Sequence, residues 1–145
     1  MSMKIRVVML GRTRNAEMRT LAEEYLKRIR NYAEIEVNEL RDGSAAALRK
    51  FKMPANAPSV FLDASGKEFT SQEFANWIRK LRDGGTRELV FFCGAAEGFP
   101  EELKSNKGVG ISLSRLTMPH ELARVVLLEQ IYRVFAILAG HPYPK

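Results

Sequence analysis

The stretch richest in reactive side chains is ISLSRLTMPHELAR, residues 111–124. It carries hydroxyls at Ser112, Ser114 and Thr117 in a polar turn. An imidazole at His120 and a guanidinium at Arg124 follow, four residues apart and so on one face of a helix. Such a turn offers several backbone donors and acceptors to an adenine-like ring, although helix capping alone accounts for one of the hydroxyls. Imidazole changes charge near neutral pH, so His120 beside a ligand loop is a candidate for function; its bland reading is a surface residue at a helix start. A second candidate is GAAEG, residues 94–98, where Gly94 and Gly98 flank small residues and let backbone amides approach a ligand. A tight turn needing positive φ explains the same glycines. Glu129 and Arg133 repeat the four-residue spacing and read as a structural ion pair.

Other chemistries lack their residues. The turn GRTRN after the first strand-like run has only the first glycine of a dinucleotide fingerprint, and no P-loop, nucleophile elbow or paired-histidine metal motif occurs. With one cysteine, Cys93, and two histidines, His120 and His141, neither an internal disulfide nor a Cys/His metal spacing is available. A reducing, cytoplasmic compartment and no metal are the expectations.

The elements that must hold these residues alternate. Strands are expected at 4–10, 34–40, 59–63, 88–94 and 109–114. Helices are expected along the Met18-to-Ile29 stripe, through 44–51, from Thr70 with Glu73 as a capping box, and from Pro119 to Leu138. The segment ASGKEF reads as a turn, and the loop 94–108 has room for a short helix. This order predicts an α/β fold, a mostly parallel sheet flanked by helices, with ligands beyond the carboxyl ends of the strands. The chain, 145 residues long with 46% apolar and 28% charged content, suits a single domain over 1–145. No apolar run approaches the roughly 20 residues of a membrane span, and the N-terminal apolar run ends too soon for a secretory signal.

Lys and Arg number 23 against 17 acids, and the resulting charge of +6 favours an anionic partner such as nucleic acid. Arg12, Arg14, Arg19, Lys27, Arg28 and Arg30 cluster around the first helix, as a solvated face or as phosphate contacts. The last helix is apolar on nearly all sides, which predicts a second copy of the chain as its outer cover.

LDASGKEFTSQEFA, FFCGAAEGF and the block from Ile111 to Lys145 resemble, in order and spacing, the ribosomal RNA large subunit methyltransferase H family, the YbeA-type branch of the SPOUT methyltransferases. The resemblance spans essentially the whole chain. It implies a C-terminal trefoil knot, a homodimer, and methyl transfer from S-adenosylmethionine to N3 of a pseudouridine in large-subunit ribosomal RNA, with an assembled ribosome expected as the substrate and free RNA as the alternative. It implies a cofactor site of Leu62, Gly94 and Ala95 with the turn Leu113, Ser114, Arg115, Leu116, Thr117 and Met118. His141 and Tyr143 in the tail look like the family's substrate-side segment, Tyr143 being also a catalytic candidate. On this reading His120 serves as general base, and Arg124 stabilises an imide anion or binds phosphate. The sequence departs from the family pattern at Ala95, usually glycine, and at the Pro144-Lys145 ending. A non-catalytic RNA- or ribosome-binding factor on the same fold is the alternative.

Overall fold

The computed structural model describes residues 3–54, 56–95, 98–100, 103 and 108–143. In chain order its elements are β1 (Lys4–Met9), α1 (Ala16–Ile29), β2 (Ile35–Glu39), α2 (Ala45–Arg49), β3 (Ser59–Glu68), α3 (Ser71–Asp83), β4 (Glu88–Cys93), β5 (Val109–Ser112) and α4 (His120–Leu138). The five strands form one sheet in the order β2-β1-β4-β3-β5, every neighbouring pair parallel. This is the parallel α/β architecture the alternation predicts.

Strand β4 is apolar on both faces after Glu88, and β1 is so after Arg6, because both faces are covered there. Ile5, Val7 and Met9 of β1 and Leu89 and Phe91 of β4 join side chains of α1, α3 and α4 in one core. Val8, Val90 and Phe92 point the other way, where Phe51, Phe61 and Leu103 complete a second, smaller core. The helix starts are set by local caps. Asn15 accepts from Met18 N, Ser44 accepts from Ala47 N, and Thr70 and Glu73 form the reciprocal box expected of them.

The segment after Asp63 corrects the sequence reading. The turn is confined to residues 63–66, after which β3 resumes. Leu62 and Lys67 both pair with Ile111, so residues 63–66 loop out between two paired stretches. The excursion depends on Gly66, where a Cβ would lie 2.5 Å from the Gly110 carbonyl carbon. The short helix expected within 94–108 falls largely on residues outside those described.

The last helix is shifted by one residue and covered differently from expectation. It begins at His120, with Pro119 as a cap that makes no side-chain bond, so neither Thr117 nor Met118 is spent on capping. Eight α4 residues are buried, and the rest of the helix from His120 to Leu138 is half-buried within the single chain. Its apolar circumference is therefore met largely by the sheet, α1 and α3, and the demand for an outer cover is smaller than the pattern suggests. No helix among the described residues is long and apolar enough to cross a membrane.

Candidate functional site

Strands β4, β3 and β5 are adjacent and parallel, so their carboxyl ends open side by side. Cys93 and Gly94, Leu62 and Leu113 meet the first turn of α4 there and enclose a cleft of about 480 Å³. That volume lies within the roughly 300–1,000 Å³ of small-molecule sites. Leu62, Gly94, Ala95, Leu113, Ser114, Leu116, Thr117 and Met118, named as cofactor residues by the resemblance, line it together with His120; Arg115, exposed on the same turn, does not.

Each loop has a local cause. Gly98 has φ +88° and donates its N–H to the Ala95 carbonyl at 2.9 Å, so the tight-turn reading holds there. A Cβ on Gly94 would approach the Gly98 carbonyl to 3.3 Å, so the same turn also needs the close approach that a ligand loop uses. Ala95, where the family pattern has glycine, packs against the smaller core. After β5, Ser112 Oγ donates to the Ser114 carbonyl and Ser114 Oγ accepts from Leu116 N, both at 3.0 Å. These bonds curl the turn and leave Leu116 80% exposed at the rim.

Sequence reasoning missed Asp63, Ala64, Cys93, Phe99 and Ala123 in the lining. Asp63 is the one acidic side chain among the described lining residues, and it accepts from Ser65 N and Oγ at 3.0 and 2.9 Å. An Asp followed two residues later by Ser is the signal that would have placed an acceptor at the head of the ASGKEF segment. Cys93 is buried, and desolvation pushes its thiol up to about 12 against a smaller opposing pull from Arg124.

Arg124 is displaced from its expected role. It is 1% exposed and does not line the cleft, because its guanidinium turns under the loop joining β1 to α1. There Nη1 donates to Thr13 Oγ1 at 3.0 Å and Nη2 to the Leu10 carbonyl at 2.9 Å, with the Glu39 carboxylate 4.0 Å away. Sharing a helix face with His120 does not bring it to the same solvent. These contacts support a strut inside the fold, not a group that meets an anion of the substrate. Beside it, the Glu121 carboxylate accepts from Arg14 N and Asn15 N at 3.0 and 2.9 Å. Those two backbone bonds hold its acid below the usual carboxylate range.

The tail also lies elsewhere. The His141 ring packs on Tyr32 and its Nδ1 meets the Tyr32 hydroxyl. Tyr143 donates to Glu129 Oε2 at 3.0 Å, stands edge-on to Tyr132, and lies under the Arg133 guanidinium. Burial, then bonds to Tyr25 and Glu129, raise its hydroxyl above the usual phenol range. The Glu129–Arg133 pair forms as expected, at 2.6 Å. Glu129 follows His120 by nine residues, about 14 Å of helix. Neither tail side chain lines its own chain's cleft, and the Pro144-Lys145 ending lies outside the described residues.

Known proteins resemble this chain in sequence and in fold. A protein-family model described as a predicted SPOUT methyltransferase matches residues 3–144. The chain is 43% identical over 144 residues to a ribosomal RNA large subunit methyltransferase H of Koribacter versatilis (strain Ellin345), covering 97% of each chain. It is 42% identical over 151 residues to the protein of the same name from Geobacter sp. (strain M21), covering 97% of this chain and 98% of that one. Among solved structures, its fold is similar to a probable methylase family protein from Haemophilus influenzae Rd KW20, with TM-score 0.59, 10% identity, and coverage of 97% of this chain and 72% of that. It is also similar to the tRNA (m1G37) methyltransferase from Aquifex aeolicus, with TM-score 0.57, 14% identity, and coverage of 99% and 75%.

Proposed function

The chain belongs to the SPOUT methyltransferase family, and from that membership we propose that the strand-end cleft is where it methylates ribosomal RNA. It is an S-adenosylmethionine-dependent ribosomal RNA methyltransferase. Its target is N3 of a pseudouridine in large-subunit RNA, read within an assembled ribosome in the cytoplasm. The observation that carries the proposal is the convergence of Leu62, Gly94, Ser114, Met118 and His120 on one cleft from elements far apart in the chain.

The cleft fits the cofactor in size and lining. Leu62, Phe99, Leu113 and Met118 supply apolar walls for a purine ring, Gly94, Ala95, Gly98 and the 113–118 turn bring backbone groups, and Asp63 brings an acceptor for hydroxyl or ammonium donors. Bound there, S-adenosylmethionine supplies a methyl group already electrophilic on its sulfonium. The chain's own task is then to align, dry and deprotonate. The apolar walls exclude water. His120, on the cleft wall at the start of α4, takes the proton that N3 loses.

His141 and Tyr143 serve the substrate side from a second copy of the chain. The tail folds back along α4 and leaves its own cleft untouched, and the half-buried flank of α4 with the exposed Leu116 supplies apolar surface for a partner. The proposal includes the single-domain organisation and the trefoil knot that the family resemblance implies. Sedimentation at micromolar concentration is expected to give twice the 16.4 kDa chain mass.

Calorimetric titration with S-adenosylmethionine, followed by methyl transfer to ribosomes, tests the reading. Stoichiometric binding and incorporation into large-subunit RNA are expected. RNA binding without cofactor binding would instead establish a non-catalytic factor.

A further inference from the structure

Six basic residues surround the first helix, and the structure sorts them. Arg28 pairs with Glu24 at 3.0 Å and lies over the rings of Tyr25 and Tyr132, while Arg19 donates to the Thr13 carbonyl. Lys27 and Arg30 are exposed far along α1, with Lys27 eleven residues past Ala16, about 16 Å of helix. Arg12 and Arg14 remain. Both are exposed, neither guanidinium has a partner among the described residues, and both sit on the loop between β1 and α1.

That loop is held far more firmly than a connection requires. Buried Arg124 ties the Leu10 carbonyl and the Thr13 hydroxyl, and Glu39 accepts from Thr13 N at 2.7 Å. Glu121, beside cleft-lining His120, accepts from Arg14 N and Asn15 N. Two residues of α4's first turns thus clasp the loop to the helix that bears the cleft wall. Each of these backbone and hydroxyl groups could be satisfied by water on an ordinary surface loop. Using a buried guanidinium and two carboxylates instead fixes where Arg12 and Arg14 stand relative to the cleft. Cations on a fixed backbone lose less freedom on binding than cations on a mobile one, and guanidinium matches phosphate oxygens in pairs.

We propose that the β1–α1 loop is the RNA-docking element of the site. Arg12 and Arg14 contact phosphates flanking the target nucleotide, and Glu121 and Arg124 act as positioning residues that hold them in register with the cleft. The inference rests on the methyltransferase reading and names the surface that its substrate meets.

The test compares the double variant Arg12→Ala/Arg14→Ala with the charge-matched Lys27→Ala/Arg30→Ala, using ribosomes from cells lacking the modification. Losing two phosphate contacts is expected to raise the KM for ribosomes about tenfold or more. It should also flatten the log–log dependence of affinity on salt by about 1.5, while S-adenosylmethionine affinity by calorimetry stays unchanged. The control should stay within about twofold of the parent, as expected for charges remote from the contact. Equal losses in both variants would mean diffuse attraction and overturn the proposal, as would an unaltered KM in the loop variant. Loss of cofactor affinity in the loop variant would overturn it too, by making the loop part of the cofactor site. If the parent protein itself neither binds S-adenosylmethionine nor methylates, the underlying reading fails, a result separate from all of these.

Discussion

At the scale of single residues, the cleft depends on one missing side chain and one suppressed charge. Because a Cβ on Gly94 already presses the Gly98 carbonyl, the branched side chain of Gly94→Val must push the turn into the cleft. Calorimetry should show cofactor affinity falling at least about tenfold, the equivalent of ~1.4 kcal/mol, with the folded circular dichroism spectrum retained. Unchanged affinity would remove this turn from the site. Arg124→Met keeps the bulk but orphans the Leu10 carbonyl and Thr13 hydroxyl, and should destabilise by about 3 kcal/mol, read as a drop in thermal midpoint. Stability equal to the parent would show that the buried bonds contribute nothing net. Cys93 shows suppression of a different kind. Burial pushes its thiol up to about 12 and so keeps it protonated at neutral pH. A neutral thiol is a poor nucleophile, so Cys93 contributes to the cleft as an unreactive wall.

At the scale of elements, β3 and the first turns of α4 do the positioning. Gly66→Ala would drive a methyl into the β5 backbone, so chemical denaturation should show a loss of about 2 kcal/mol or more; a neutral result would mean that the excursion at 63–66 relaxes freely. The clasp between α4 and the β1–α1 loop should be acid-sensitive. Glu121 has a depressed acid in the fold, so its contribution is fully present above the unfolded value near 4.5 and is lost as pH falls through the folded one. Glu121→Gln should flatten the acid limb of thermal midpoint against pH, and an identical limb would show that other carboxylates carry it. The strands, the capping box at Thr70 and the small-residue and hydroxyl turns were legible in sequence because each is a local pattern. The strand order was not, because it is fixed by contacts between distant segments. Nor was the return of β3 after Asp63, since Ala-Ser-Gly-Lys-Glu has turn composition and only its last two residues rejoin β5, past a close approach at Gly66 visible only in three dimensions. Arg124 was misread because arginine beside a polar turn looks solvent-facing until the loop that covers it is known.

At the scale of the whole molecule, α4 holds the cleft and the tail apart along one rod. The cleft-lining turn and His120 stand at its start, whereas the tail folds back to Glu129 and Tyr32 and does not line the same chain's cleft. On the proposed dimer, each working site joins the cleft of one copy to the tail of the other. Two inactive proteins should then repair each other. One is Gly94→Val, with a damaged cleft and a sound tail; the other lacks residues 141–145, with a sound cleft and no tail. Unfolded together and refolded, half of the dimers are mixed by random pairing. Each mixed dimer contains one sound pair and one doubly defective pair, so methylation should recover to about a quarter of the parental rate under symmetric assembly. Sites completed within a single chain would give none. The reach of a single helix therefore becomes a genetic property, with two null alleles that complement because the defects fall on opposite partners of the same site.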